Sequence, residues 1–478
     1  NVMGFNNPEN AAAKEYFTSV ATSGSTLNQM SMFGSISGSI IDLPAGPLEF
    51  VLGFDNRKET ADYLADQMAL LSVAIRGSQT ESTNGQFNID SKYIELSIPV
   101  VSDMPFAQDV RVDYGYRELE NTNSLRTNKY DVDALSIFWR INDEIAVRAS
   151  EQTTTKSPNI DDLYGPLNPS FQQALDPCDA RYVADGDFPA NRAANCASIG
   201  IDTSTFRSFV AGGTVQGVSG GNPRLLDESG ETNSYGIIYT PSNDFFDAIG
   251  NVSMSADYIE ILLTDYVTTF ALIDFMEACY DAASFPNNFC DSFTRDPETN
   301  QVNGFSVGAG NAGTIDFGTY IYRINWDKDF SIGNLSLAWR GYQQDKRNQA
   351  DSGDPADLVD KTGYASDPEW VQDLTIGLAK NDHFAYYKMD FVDGGYINKQ
   401  QTDIRADRYI GASGQPMTEY DGYFTDTIGY VYTPTEDITL AIRVSNPLDH
   451  DGSEDRYQVE RGTLLIGRTI STSFSIKF

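Results

Sequence analysis

The four cysteines are the residues of this chain best suited to covalent chemistry. They form two close pairs along the sequence, Cys178 with Cys196 and Cys279 with Cys290, each in a polar stretch rich in Asn, Asp and Pro. Four cysteines allow three pairings, and local pairing closes the shortest loops, so we expect one disulfide within each pair. Each disulfide would stabilise its loop by up to about 3 kcal/mol, and both indicate an oxidising compartment.

Histidines are too few and too isolated to support the common catalytic arrangements. The sequence contains only His383 and His450. A zinc site built from the cysteines is the competing interpretation, but the chain has no CxxC spacing and both histidines are far from the cysteines. Neither histidine has a Ser or Cys companion at a spacing that suits triad chemistry. Carboxylates are abundant, but a glycosidase needs two at a defined separation. The sequence therefore predicts no catalytic residues, no cofactor and no enzyme activity.

The acidic segment from Asp449 to Asp455 is a candidate calcium site. Asp449, Asp451 and Asp455 offer the oxygen ligands that Ca²⁺ prefers. The segment does not match the EF-hand loop, and a solvated turn is the default interpretation.

The charge of the chain excludes one class of partner. Lys and Arg total 33 against 68 Asp and Glu, which gives a net charge of -35. Binding to nucleic acid needs a basic face, and the sequence shows none. An acidic surface also matches anionic lipid headgroups poorly unless divalent cations intervene. The excess of acid indicates either a salty habitat, where screening reduces repulsion, or solvated acidic loops.

The last residues of the chain alternate between apolar and polar side chains. Phe474, Ile476 and Phe478 share one phase with Ile470, and serines and a lysine fill the other. The nine residues from Ile470 to Phe478 are enough for a tilted strand to cross a bilayer core. Arg468 has the same phase but would lie at the edge of the apolar band, where a cation costs little. The alternative is the last strand of a soluble β-sandwich.

The same alternation recurs along the chain as about fifteen strands. No run of apolar residues is long enough for a transmembrane helix. Each short turn is followed, one strand later, by a long polar loop, which is the asymmetry of outer-membrane barrels. The longest loop covers residues 151–228, and residues 270–280 suggest a short helix carrying Cys279. The strand around residues 384–391 is ambiguous in phase and suggests a bulge.

These patterns predict an all-β fold, an antiparallel transmembrane β-barrel with short periplasmic turns and long extracellular loops. We expect residues 1–27 to form an extracellular loop and residues 28–478 to form strands and loops of a partial barrel, with about fourteen to fifteen strands. An open sheet cannot persist in lipid because its edges would be unsatisfied. Further strands are therefore expected from residues outside this sequence or from another chain.

Several short motifs resemble those of the TonB-dependent receptors of Gram-negative outer membranes. Gly467-Arg468 followed by alternation to Phe478 is similar to that family's carboxyl terminus. The order and spacing of the motifs over residues 30–478 strengthen the resemblance. The other matching segments are Arg148-Ala149-Ser150, Pro158, Leu163-Tyr164, Gly221-Asn222-Pro223-Arg224-Leu225 with Glu228, and Asn446-Pro447-Leu448-Asp449. Asp227 stands where the family pattern has a proline, and the segment from Asp176 to Cys196 is similar to a subgroup common in environmental proteobacteria.

The resemblance implies a 22-stranded barrel with an amino-terminal plug, of which this chain would be the carboxyl-terminal two thirds of the barrel. Neither the plug nor the segment that engages TonB is in this sequence. The implied partners are outer-membrane lipid and lipopolysaccharide, TonB through the plug, and a small-molecule or oligosaccharide ligand.

The implied activity is TonB-driven import of a scarce ligand across the outer membrane. The subgroup favours oligosaccharides, with siderophores or cobalamin next. Arginines on the polar phase would line the lumen or hold the plug by pairing with carboxylates. They are Arg111, Arg117, Arg148, Arg323 and Arg340. The alternatives are a passive porin and a secreted β-rich adhesin or binding module.

Overall fold

Fifteen long strands pair in chain order into one antiparallel sheet. The computed structural model describes residues 15–16, 19–71, 80–185, 188–242, 244–350, 358–364, 366–396, 419–449 and 467–477. In these ranges the long strands are β1 (Gly24–Leu43), β2 (Gly46–Leu64), β3 (Thr83–Met104), β4 (Ala107–Asn123), β5 (Thr127–Arg140), β6 (Ile145–Lys156), β9 (Glu228–Tyr239), β10 (Asn251–Thr269), β12 (Val302–Phe330), β13 (Gly333–Ala350), β15 (Trp370–Lys380), β16 (His383–Val392), β19 (Tyr423–Thr435), β20 (Ile438–Ser445) and β21 (Thr469–Ile476). The predicted fold class and the predicted number of strands are confirmed.

The described part also contains six short strands, five short α-helices and one 3₁₀ helix. The strands are β7 (Asn168–Gln172), β8 (Val215–Gly220), β11 (Phe293–Arg295), β14 (Val359–Asp360), β17 (Gly395–Tyr396) and β18 (Glu419–Tyr420). The α-helices are α1 (Gln67–Leu70), α2 (Ile160–Tyr164), α3 (Pro189–Ser198), α4 (Asp244–Ile249) and α5 (Leu272–Tyr280), and a 3₁₀ helix covers Asn288–Ser292. In the ranges that the structure describes, no helix combines the length and apolar character needed to cross a membrane.

The register separates the side chains of the sheet into two faces. One row of directly opposed residues, from β3 to β10, is Ile98, Val112, Ile137, Ala149, Tyr235 and Tyr258. The neighbouring row, from β3 to β9, is Ser97, Asp113, Ser136, Ser150 and Ser234. We call the side of the first row the apolar face and the side of the second row the polar face. Successive residues of a strand point to opposite sides, so the sequence pattern sets this separation.

The apolar face is uncovered, which decides between a membrane barrel and a soluble sandwich. Large side chains such as Ile137, Tyr235, Ile237, Ile428 and Phe474 remain exposed there. In the described residues no second sheet packs against them. An apolar surface of this extent is unfavourable in water and suits hydrocarbon.

The connections differ in length between the two ends of the sheet. Six turns at one end contain two to four residues, at 44–45, 105–106, 141–144, 331–332, 381–382 and 436–437. The opposite end carries long connections, at 65–82, 157–227, 270–301, 351–369, 393–422 and 446–468. This asymmetry matches the predicted arrangement of short turns and long loops.

Two connections depart from this pattern: the one between β9 and β10, at 240–250, is longer than the other turns at its end, and the one between β4 and β5 is short. After β4 the prediction of a long loop following every short turn is therefore wrong. Only residues 124–126 join the two strands. The Asn123 side chain accepts hydrogen bonds from the backbone N–H groups of Leu125 and Arg126, at 2.8 and 3.1 Å. Asn favours such tight turns because its side chain replaces a backbone acceptor.

Several strands are much longer than a bilayer requires. β12 has 29 residues and β1 has 20, whereas about ten residues of a tilted strand cross the hydrocarbon. The additional length lies toward the long loops, where the apolar face becomes polar: Tyr116 opposes Asp133 and its hydroxyl donates to Asp131 at 2.7 Å. The sheet therefore continues beyond the apolar band as a polar extension.

Two predicted details of the strands are wrong. β1 begins at Gly24, which pairs with Leu64, so residues 24–27, which were predicted as loop, belong to a strand. β16 pairs with β15 and β19 without a register shift, so it has no bulge. Its ambiguous phase arises because aromatic side chains occur on both faces. On the polar face the Phe384 and Tyr386 rings occupy the space beside Gly377 and Gly429, where a Cβ atom would lie 2.7 and 2.1 Å from them.

Candidate functional site: the polar face and the disulfide-bonded loop unit

The two longest connections fold together into one unit at the loop end of the sheet. Residues 157–227 contribute β7 and β8, which pair with each other. β11 pairs with the first residues of β12, 302–305, and β8 pairs in parallel with the next residues, 306–308. We call this assembly, residues 165–225 with residues 270–308, the loop unit. Its small sheet joins segments that are far apart in the sequence.

The loop unit has its own hydrophobic core, and both disulfides belong to it. Bonds join Cys178 to Cys196 and Cys279 to Cys290, the local pairing expected from the sequence. The helix predicted for residues 270–280 is α5. The buried members of the core are Ala174, Cys178, Cys196, Ile201, Val210, Leu272, Met276, Cys279, Tyr280, Phe293, Val302, Phe305 and Val307. The unit is therefore a folded body rather than a set of solvated loops.

Buried ion pairs cross-link the two connections within the loop unit. Arg295 Nη1 and Nη2 donate to the Asp176 carboxylate at 2.8 and 2.7 Å, and both side chains are almost completely buried. Arg192, also buried, pairs with Asp281 and Glu277 of the other connection. Burial raises the pKa of the Glu277 carboxyl, against the effect of Arg192. These bidentate contacts fix the geometry in which the two connections meet.

The loop unit is expected to lose stability in acid because hydrogen bonds hold several of its carboxylates ionised. The Arg181 guanidinium, with backbone N–H groups of Ser208 and Arg181, holds the pKa of the Asp179 carboxyl far below its usual range. The pKa values of Asp202 and Asp296 are also lowered, by donors on Ser204 and Thr299 respectively. A lowered folded-state pKa contributes stability above the unfolded pKa of about 4, and this contribution is lost as the pH falls further. Limited proteolysis of the loop unit should accelerate below about pH 4, and Asp179→Asn should reduce that acceleration. An equal acceleration in Asp179→Asn would contradict the assignment.

A short helix of the first long connection lies over the polar face. Leu163 and Tyr164 of α2 pack in one cluster with Phe87 and Ile89 of β3, which are apolar residues on the polar face. The Tyr164 hydroxyl donates to the Gln86 carbonyl at 3.1 Å. The connection thus covers the end of the polar face before it enters the loop unit.

The five arginines singled out in the sequence all lie on the polar face. Arg117 is 3.5 Å from Asp55 and its guanidinium lies over the Tyr93 ring. Arg111 is 3.3 Å from Asp113, which also accepts a hydrogen bond from Ser97 at 2.6 Å. Most of these side chains are thus held by carboxylates of the same face.

Arg148 and Arg323 share one carboxylate that the sequence analysis missed. Arg148 Nε and Nη2 donate to Asp257 at 2.8 Å each, and Arg323 Nη1 donates to Asp257 at 3.3 Å. The residue between Arg148 and Asp257 is Gly236, whose missing side chain leaves the space that the pair needs: a Cβ atom there would be 2.0 Å from Asp257 Oδ1. Asp257 is an acidic residue in the polar phase of an alternating strand. That position in the sequence could have indicated that it lies on the same face as the arginines.

A recess of about 740 Å³ adjoins the first strands. On the polar face it is lined by Glu49, Glu95, Ser97, Asp113 and Ser136. Leu96, Tyr114 and Leu135 also line the recess, so its lining is mixed and indicates no single class of ligand.

The candidate calcium segment is only partly described. Asp449 Oδ1 accepts a hydrogen bond from the Arg468 backbone N–H at 2.6 Å. Asp451 and Asp455, like Phe478 of the predicted terminal signature, lie outside the described residues. The rest of that signature is in β21, where Phe474 opposes Leu440 and Ile476 opposes Ile438. No group of three metal-binding side chains occurs in the described ranges.

Comparison with known proteins identifies the fold but no relative by sequence. No family profile matches the chain, and no curated protein matches it. Among solved structures, it is similar to the siderophore receptor PirA from Acinetobacter baumannii, with a TM-score of 0.59, 13% identity, and coverage of 95% of this chain and 55% of that one. The ferric enterobactin receptor PfeA from Pseudomonas aeruginosa gives 0.59, 14%, 95% and 55%. The FrpB iron transporter from Neisseria meningitidis gives 0.53, 11%, 95% and 55%.

These similarities define the class of fold, an antiparallel transmembrane β-barrel. The fold is similar to that of TonB-dependent receptor barrels, so the resemblance found in the sequence motifs is confirmed at the level of the fold. The chain spans about 55% of the length of the solved chains that it matches.

Proposed function

We propose that this chain forms part of the β-barrel of a TonB-dependent receptor. Such a receptor imports a scarce ligand across the outer membrane of a Gram-negative bacterium. The observation that carries the proposal is the combination of an exposed apolar face with a polar face that is covered at one end by α2 and followed by the loop unit. A water-soluble adhesin has no use for such an apolar face. A receptor needs both an uncovered apolar face, for lipid, and ordered loops, for capture of the ligand.

The partners follow from the two faces. The apolar face contacts outer-membrane lipid, including lipopolysaccharide on the loop side. The polar face lines the lumen, where its arginines and carboxylates contact a plug domain. TonB engages that plug and supplies the energy of import. Oxidised cysteines in the loop unit fit a location outside the cytoplasm.

We favour an iron chelate as the ligand. The similar structures are described as a siderophore receptor, a ferric enterobactin receptor and an iron transporter. Siderophores are one of the classes expected from the sequence, whereas the preference for oligosaccharides has no support from these structures. The similar proteins are receptors and a transporter, which agrees with the absence of enzyme activity expected from the sequence.

Uptake of labelled iron tests both the class and the ligand. Cells that carry the intact gene should accumulate radioactive iron supplied on one siderophore of a hydroxamate and catecholate panel, and cells with the gene deleted should not. A protonophore should abolish this uptake, because TonB depends on the proton-motive force. A parallel panel of labelled oligosaccharides tests the alternative ligand.

The outcomes separate the alternatives. Uptake that survives the protonophore would indicate a passive porin. Energy-dependent uptake of an oligosaccharide but of no siderophore would support the proposed receptor class and contradict the proposed iron chelate as its ligand. A protein that remains monodisperse in buffer without detergent would contradict the membrane barrel itself.

A further inference from the structure

Two arginines face each other across neighbouring strands of the polar face. Arg323 of β12 and Arg340 of β13 are directly opposed in the register. Their side chains are 43% and 63% exposed, so both guanidinium groups are accessible from the polar face. Like charges in directly opposed positions destabilise a sheet. A site that retains them needs compensating negative charge.

The nearby carboxylates compensate only part of this charge. Arg148 already engages both oxygens of Asp257 at 2.8 Å, and Arg323 reaches that carboxylate through one nitrogen at 3.3 Å. Arg340 Nε is 4.0 Å from Asp373, which is too long for a hydrogen bond.

The next carboxylate on the polar face, that of Asp390, is already hydrogen bonded to Lys388. Asp373 is directly opposed by Asp390, whose two oxygens accept hydrogen bonds from Lys388 at 2.6 and 2.9 Å. In the described residues, Arg323 and Arg340 thus have more donors than their neighbours fill.

We propose that Arg323 and Arg340 together bind one anionic oxygen group, a carboxylate or a phosphoryl group, on the polar face. Guanidinium groups present planar pairs of donors that match such groups, and an anion between them removes the repulsion across the strands. The site is a positive spot on a chain of net charge -35, so it selects anions that the rest of the protein repels. The proposal concerns binding, and it does not depend on transport.

The anionic group has two sources: a soluble anion, or a carboxylate side chain of a polypeptide that enters the polar face. Equilibrium dialysis of the folded chain in detergent with radiolabelled inorganic phosphate tests the first source. We expect one site in the unmodified chain and a loss of affinity of about tenfold or more in the double variant Arg323→Gln with Arg340→Gln. Arg111→Gln is the matched control, because Arg111 lies on the same face beside Asp113. It should bind phosphate normally.

Zero-length cross-linking tests the second source. The variant Arg340→Lys places an amine at the site, and a carbodiimide joins it to any carboxylate in contact. Mass spectrometry should find a link to Asp373, which serves as the internal control, and a second link to a carboxylate elsewhere in the polypeptide if that is the source. Each variant is checked by gel electrophoresis in detergent: a folded barrel migrates differently before and after heating, which confirms that the variant is assembled.

The two experiments leave no neutral result. Phosphate binding that is lost in the double variant and retained in Arg111→Gln supports a soluble anion. Absent phosphate binding with the second cross-link supports a polypeptide carboxylate. Phosphate binding that the double variant retains overturns the proposal, as does binding that Arg111→Gln also loses. Absent phosphate binding with a link to Asp373 alone overturns it too. Failure of iron uptake would not affect any of these outcomes.

Discussion

Replacing Arg295 by alanine is expected to unfold the loop unit while the barrel strands remain assembled. The substitution leaves the buried Asp176 carboxylate without its guanidinium partner, and removing one member of a buried ion pair costs about 3 to 5 kcal/mol. Arg295 also bonds the Tyr280 hydroxyl and the Asn300 carbonyl, both at 2.9 Å, so the change weakens contacts within the second connection as well. Hydrogen exchange should show lost protection in β7, β8 and α5, with β4 and β5 unchanged.

Two control variants distinguish charge burial from a general effect of substitution. Arg207→Ala removes an exposed arginine 3.8 Å from Asp179 and should change the free energy of unfolding by less than about 1 kcal/mol. Arg295→Met combined with Asp176→Leu removes both charges and should recover most of the protection, since a buried pair can be replaced by apolar side chains at little cost. If the double variant is as unprotected as Arg295→Ala, the ion pair is not what stabilises the unit.

Removing both disulfides is expected to make the loop unit highly sensitive to protease. The bonds close segments with sequence separations of 18 and 11 residues. Each contributes about 3 kcal/mol on the chain-entropy estimate. Replacing Cys178 and Cys196 by alanine should therefore raise the rate of cleavage in the loop unit by about a hundredfold, and replacing all four cysteines should raise it further. Gel analysis of the fragments over time measures the rate.

Reduction of the unmodified chain provides the matching control. Cys178, Cys196 and Cys279 are almost completely buried, so a mild reductant should act slowly until the unit opens. Reduction in denaturant followed by refolding without an oxidant should reproduce the protease sensitivity of the variant in which all four cysteines are alanine. Cleavage that stays slow after complete reduction would contradict a stabilising role for the bonds.

Alternation of side chains was sufficient to predict the fold class, the number of strands and the identity of the two faces. In a strand such as β10 every second residue faces the same side, so a pattern of Met254, Ala256 and Tyr258 leaves little freedom of register. The local disulfides were also predictable, because close cysteines in one loop pair with the smallest loss of chain entropy.

Contacts between distant segments could not be predicted in the same way. Asp176 and Arg295 are separated by 119 residues, and nothing in either local sequence indicates the other. The short connection after β4 was missed because a long loop was expected there from the general pattern, whereas the Asn123 side chain closes a tight turn. The Asp257 carboxylate that Arg148 and Arg323 share was missed because the positions of the arginines in the sequence do not show which acidic residue faces them on a nearby strand.

Each disulfide joins two residues of the same connection, so the two connections of the loop unit are held to each other only by ion pairs, hydrogen bonds and packing. Separation of the two halves therefore breaks no covalent bond, and an oxidising environment reinforces each half without locking them together. The free energy that holds the two halves together therefore comes from the ion pairs and the apolar packing between them, while the disulfides stabilise each half separately.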